Sequence, residues 1–244
     1  MSRREYGQEC GLAAALDRVG ERWSLLIVRE LSLGPLRFSE LARSVGGAPT
    51  DVLTKRLRDL EGDGVVSRRE LEAPVAATVY ELTELGRGLE RPMLELARWG
   101  MEVQKAEDVV GLAPSSLPNA LRVILRPPAD ASFDLGLRSA GQSFALRARD
   151  GWIEGARGTL GEPDLILSGS PFEVLAAVVT GPAGVPGAEV EGEVTLLDWL
   201  GEMVVVPQRL REEAQMLVES GALLIAAAEA SAGPGEPKLA GSQS

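Results

Sequence analysis

Thr50, Asp51, Thr54, Lys55, Arg56 and Arg58 fall within nine residues of one another, and Arg68 and Arg69 follow shortly after. Hydroxyls, one carboxylate and closely spaced cations make poor catalysts but good readers of nucleic acid. A guanidinium can fork the O6/N7 edge of guanine, and Lys and Arg neutralise phosphates. These side chains need a rigid support that presents them together, and the flanking residues describe one. Phe38, Leu41, Ala42 and Val45 have the i, i+3, i+4, i+7 spacing of a helix that Ser39 can cap. Gly46 and Gly47 stop it. Pro49 suits the first turn of the next helix, whose Leu53, Leu57 and Leu60 form one inward stripe before Gly62 and Gly64 end it.

At about 100° per residue, Asp51, Lys55 and Arg58 lie opposite that leucine stripe, flanked by Thr50, Thr54 and Arg56. Arg37 and Ser39, at the entry to the first helix, complete the expected contact set. Val65 and Val66 then open an extended segment. Arg68 and Arg69 are expected near its tip, Ala73, Pro74 and Val75 form a turn, and Val79, Tyr80 and Leu82 return. Helix, tight turn, helix and basic hairpin together predict a winged helix-turn-helix. Its second helix enters a groove, and its wing arginines meet the adjacent backbone phosphates.

The run from Cys10 through ALDRVGERWSLLIVREL, GPLRFSELARSV, VLTKRLRDLEGDGVVSRR and VYELTELG to Pro92 and Trp99-Gly100 resembles the HxlR-type winged-helix transcriptional regulators over about residues 8–104. The resemblance implies a homodimer on double-stranded DNA, with the recognition helices paired by outer helices at Leu12 to Val19 and around Leu89, Leu96 and Trp99. Where the family usually begins its recognition helix with a capping Ser or Thr, this chain has Pro49. Some members carry a reactive thiol at the position of Cys10. Here Gly11 replaces the family's Pro, and Glu5 and Glu9 oppose thiolate formation, so a structural or incidental cysteine is the favoured reading over a redox sensor.

The chain's 244 residues and 45% hydrophobic content allow two cores. The formal charge of −11 is unevenly spread: residues 1–110 hold 16 basic and 19 acidic side chains, the remainder 9 and 17. Residues 37–69 hold seven basic and five acidic. DNA affinity depends on that local surface, and the acidic remainder opposes non-specific binding. Without a long apolar span or an apolar signal core, and with a single cysteine, the chain is expected to be cytoplasmic. It has no histidine, so the usual His-based triads and metal sites are excluded. No segment has nucleotide-loop spacing. Neither an enzyme nor a cofactor is expected, and Glu189, Glu191 and Glu193 read as a solvated acidic face.

Past Trp99 the pattern changes. Residues 107–118 are expected to link residues 1–106 to a second unit at 119–229, with 230–244 as a disordered tail. LRVILR from Leu121, FDLGLR, FALRAR, Trp152-Ile153 and DLILS read as strands of a meandering antiparallel sheet with turns at Ala140-Gly141 and Asp150-Gly151. Ser170-Pro171-Phe172-Glu173 starts a helix. A strand near Ala188 to Glu191, a helix near Leu196 to Met203 and a longer one from Gln208 to about Ala228 complete an α+β layout. GARGTLGEPDLILSGSPFEVLAAVVTG followed by AEVEGEVTLLDWL resembles the type-two sterol-carrier-protein fold over about residues 118–205. That resemblance implies a pocket for an apolar small molecule, lined by Leu135, Leu137, Phe144, Leu146, Trp152, Phe172, Leu175, Trp199 and Met203. The same side chains could simply fill a core, and the domain would then be a docking or dimerisation module.

Overall fold

The computed structural model describes residues 5–72, 76–104, 112–181, 187–208 and 211–212. Its first half runs α1 (Gly11–Val19), α2 (Ser24–Leu31), β1 (Leu36–Arg37), α3 (Phe38–Val45), α4 (Thr50–Gly62), β2 (Val66–Leu71), β3 (Ala77–Leu82), α5 (Glu84–Arg87) and α6 (Glu90–Val103). The three strands pair antiparallel in the order β1-β3-β2. Leu41, Val45, Leu53, Leu57 and Leu60 meet Ile27, Val28 and Leu31 of α2 and Val65, Val66 and Leu82 of the hairpin in one buried cluster. Burying each such side chain stabilises the fold by about 1.5–3 kcal/mol. Gly46 and Gly47 have φ of 64° and 68°, values that only glycine adopts at little cost, and these two residues turn α3 into α4. Thr83 Oγ1 donates to the Gly64 carbonyl at 2.6 Å and accepts from the Gly86 N–H at 3.0 Å, fixing α5 against the end of α4.

Ser39 is not the cap of α3. The helix begins at Phe38, so the cap position falls to Arg37, whose backbone N–H donates to Glu40 Oε2 at 2.8 Å. Pro49 stands immediately before α4 rather than in its first turn, and its carbonyl accepts from the Leu53 N–H. Arg68 and Arg69 pair with Tyr80 and Val79 in mid-ladder, because β2 continues to Leu71. The expected turn at Ala73 to Val75 lies outside the described residues.

The second half contains a 3-10 turn at Pro114–Ser116, then α7 (Leu117–Ile124), β4 (Phe133–Ser139), β5 (Gln142–Arg149), β6 (Trp152–Arg157), β7 (Leu165–Ser168), α8 (Pro171–Thr180), β8 (Glu189–Gly192) and α9 (Val194–Glu202). LRVILR is therefore mostly helix and not a strand. Almost every residue of α7 is buried, including Arg122 and Asn119, and a helix enclosed on all sides loses the periodicity that would distinguish it from a buried strand. The sheet order is β6-β5-β4-β7-β8. It is no simple meander, since β4 and β7 are parallel neighbours. Alternation shows which residues share a face but not which strand is the neighbour. Ala140-Gly141 and Asp150-Gly151 all have positive φ, as two-residue hairpin turns require. Ser170 and Glu173 form the expected reciprocal cap of α8.

The expected linker is described only from Leu112, where it already holds the buried Ser115 and Leu117. The helix predicted from Gln208 and the tail fall almost wholly outside the described residues. The two cores also interlock: Leu33, from the first half, belongs to the core of the second, and Val123 of α7 belongs to the core of the first.

Candidate DNA-reading surface and the seam behind it

The stripe of Leu53, Leu57 and Leu60 is fully buried, which turns the opposite face of α4 to solvent. Thr50, Asp51, Lys55 and Arg58 are exposed there, as are Arg37 and Ser39 at the start of α3. The structure distinguishes among these residues in a way their spacing does not. Arg58 and Arg68 are exposed and have no carboxylate partner among the described residues. Lys55 Nζ lies 2.8 Å from Asp59 in an exposed i,i+4 pair that a phosphate could replace. The Thr54 hydroxyl donates to the Thr50 carbonyl at 2.7 Å.

Two of the predicted contact residues have other partners. Arg56 is only 15% exposed and bridges Glu21 at 3.0 Å and Asp59 at 2.9 Å, with its Nε buried and unpartnered. It ties α4 to the turn between α1 and α2 and so helps hold the reading helix in place. Arg69 forms a fork on Glu81 at 2.9 and 3.0 Å. The hydrogen bond from Arg69 holds the Glu81 carboxyl below its usual range, and burial only partly offsets this.

Behind this surface lies a polar seam that the sequence did not reveal. Arg122, fully buried in α7, donates to Glu90 Oε2 at 2.5 Å, to the Ile153 carbonyl at 3.0 Å and to Asn119 Oδ1 at 3.0 Å. Asn119 donates to the Arg29 carbonyl at 3.0 Å. Arg157 reaches the Glu30 carbonyl at 2.8 Å and the buried Glu30 carboxylate at 3.2 Å. Arg98 of α6 donates to the Val123 and Arg122 carbonyls, each at 2.8 Å. Carboxylates of the first half thus meet arginines of the second. The one clue in the sequence was Arg122 itself, a charge inside an apolar run, because a buried charge needs a partner.

The nine expected pocket residues do not share one environment. Leu135, Leu137, Phe144, Leu146 and Met203 are buried together, with Leu175 and Trp199 packed against them and Trp199 edge-on to Phe133 at 6.0 Å. Phe172 is 37% exposed. Trp152 packs against the core of the first half instead, with the Arg91 guanidinium 4.5 Å and that of Arg122 5.5 Å from its ring centre. The exposed Cys10 stands at the N-cap position of α1 without a side-chain cap bond, and the nearby backbone amides of Ala13 and Leu12 lower its thiol below the usual range. Among the described residues no group of three or more His, Cys, Asp or Glu could hold a metal ion, and no helix is long and apolar enough to cross a membrane.

Residues 18–108 match the family described as HxlR-like helix-turn-helix. An uncharacterized HTH-type transcriptional regulator of Mycobacterium tuberculosis, Rv3095, is 41% identical over 102 residues, which are 42% of this chain and 63% of that protein. The chain therefore spans less than two thirds of that relative. YtcD of Bacillus subtilis, another HTH-type transcriptional regulator, is 35% identical over 41% of this chain and 78% of its own length. Among solved structures, the redox regulator HypR in its oxidized form is 33% identical over 39% of this chain and 98% of its own, with a TM-score of 0.36.

Proposed function

The chain belongs to the HxlR-like helix-turn-helix family, and on that premise we propose that it is a sequence-specific DNA-binding transcriptional regulator. The observation that carries this reading is α4, whose leucine stripe is fully buried while Lys55 and Arg58 project from the opposite face. Among the described residues Arg58 and Arg68 have no competing carboxylate. In this reading α4 enters the major groove, Arg58 and Thr50 meet base edges, and Arg68 and Lys55 meet phosphates. Asp51 accepts from a base amino group or a bridging water. Arg56 supports α4 from within.

We further propose a homodimer. Leu12 and Leu16 on α1, and Leu96, Trp99 and Val103 on α6, are exposed apolar side chains, Leu12 at 68% and Trp99 at 63%. Faces of this kind on a small unit call for a partner, and a symmetric pair of α4 helices would read two half-sites. The second half, whose sequence resembles the type-two sterol-carrier proteins, is proposed as the sensory part, with a small molecule modulating operator affinity. Exposed Phe172, Val194 and Val205 favour the alternative that it docks another protein.

Selection from random duplex DNA with the full chain is expected to return a site with two-fold symmetry. Arg58→Ala should lose about 1–3 kcal/mol of affinity for it and relax preference at one base pair. Unchanged affinity and preference in that variant would end the proposal.

A further inference from the structure

A cleft of about 500 Å3 opens where α5 and the start of α6 face β6, lined by Arg87, Glu90, Arg91, Trp152 and Glu154 over Ser32. Its size is within the range of small-molecule sites, and its chemistry is specific. Glu90 contributes no free charge, because the fully buried Arg122 holds its carboxylate at 2.5 Å. Glu154 lies across the strand pair from Arg147, whose guanidinium is itself held by Asp134 at 3.2 Å, so one carboxylate stands in the cleft against the two arginines Arg87 and Arg91. Among the described residues Arg87 gives one N–H to the Leu82 carbonyl at 2.9 Å and makes no other hydrogen bond, though its charge also acts on Glu81. Arg91 lies over the Trp152 ring at 4.5 Å with no carboxylate partner among the described residues. A guanidinium stacked on a ring still presents its N–H groups in its own plane, where a carboxylate can take two hydrogen bonds at once.

Two cations with unused donors beside an indole select against a long alkyl chain and for a flat anion. We propose that this cleft binds a small aromatic carboxylate. The carboxylate is held between Arg87 and Arg91, and the ring is laid against the Arg91–Trp152 stack. Of the side chains expected to line an apolar pocket, Trp152 is the one that lines this cleft, and it does so between the two halves rather than inside the second. One wall is carried by α6, whose exposed Leu96 and Trp99 form the proposed dimer face, and the other by the second half. An occupant that prefers one spacing of these walls biases how the two α4 helices are presented. That consequence rests on the DNA-binding reading above, whereas the binding site does not.

Calorimetry on the full chain with naphthoate should give a saturable isotherm with one site per chain. The neutral naphthalenemethanol should bind at least about tenfold more weakly. Arg91→Gln should weaken naphthoate several-fold, and the Arg87→Gln, Arg91→Gln pair at least about tenfold, with circular dichroism and urea midpoint unchanged. Naphthoate should quench tryptophan fluorescence in the parent chain, and Trp152→Phe should still bind but lose most of that quench. Equal binding of acid and alcohol, or naphthoate binding undiminished in the paired variant, overturns the proposal. Because the titration contains no DNA, failure of the Arg58 test leaves this result standing, and failure here leaves the DNA-reading surface intact.

Discussion

The proposed DNA-reading surface and the seam behind it are both built from arginines, threonines or serines, and carboxylates, yet they are assembled in opposite ways. On α4 every exposed donor is within a few residues of the leucine stripe that orients it, and the flanking Asp59 is reached across a single helical turn. In the seam, Arg122 meets Glu90 across 32 positions, Asn119 meets Arg29 across 90, and Arg157 meets Glu30 across 127. The first set is screened by water and free to exchange its partners for phosphates. The second is desolvated and committed. The proposed binding therefore draws on electrostatics that are weak and replaceable, whereas the seam's are buried and mutually satisfied.

The sharpest way to break this contrast is Arg122→Ala. Removing the fully buried Arg122 takes away the partner of the mostly buried Glu90 and leaves the Ile153 carbonyl and Asn119 without their donor, and the expected loss is about 3–5 kcal/mol of unfolding free energy by urea titration. If the two halves are as interlocked as Leu33 and Val123 indicate, both should melt in one transition. A loss below about 1 kcal/mol, the range of exposed pairs, would erase the distinction between the two surfaces.

Trp99→Asp tests the exposed face of α6, which packs against the second half through Arg98 but leaves Trp99 at 63% exposure. Sedimentation should show a dimer becoming a monomer, with operator affinity falling by more than any single Arg58 contact contributes, because two half-sites are then no longer read together. Unfolding free energy should barely move, since the side chain has little to lose in the monomer.

The smallest effects separate Arg68 from Arg69. Arg68→Ala should lower the slope of log affinity against log salt by about one phosphate contact. Arg69→Ala should lower it less, because Glu81 already holds that guanidinium in a fork. The same pair sets a slight acid sensitivity. Glu81 is held below its ordinary value, so its contribution to stability is present above the unfolded-state value and fades as pH falls through the lowered folded-state value. Urea midpoints taken across the acid range should show that fade in the parent chain and not in Arg69→Ala. Equal salt slopes for the two variants would mean that the fork opens freely on DNA.

The winged helix-turn-helix was legible because its signals are local: a 3.6-residue stripe, two glycines at the turn, and a basic hairpin. The start of α3 was misplaced by the same kind of local reasoning, since Ser39 is a good cap by type but the backbone of Arg37 reached Glu40 first. Type and spacing put Arg56 and Arg69 among the expected DNA contacts and do not reveal that Glu21 and Glu81 lie within reach. In the second half, the hairpin turns and the Ser170 cap were also legible. The parallel placement of β7 beside β4 was not, because alternation is the same whichever strand lies alongside.

Composition, periodicity and turn residues by themselves determined that this chain carries a helix-turn-helix with a basic wing, followed by an α+β unit with its own apolar face. They could do so because each of those features is enforced by neighbours a few residues away. Only the tertiary structure decided that α7 is a buried helix, that Trp152 turns toward the first half, that Glu30, already beside Arg29, also meets Arg157, and that Glu90 is neutralised by Arg122. Those outcomes depend on which distant surfaces exclude water from one another, and a charge can remain in such a place only when the folded chain brings its partner to it.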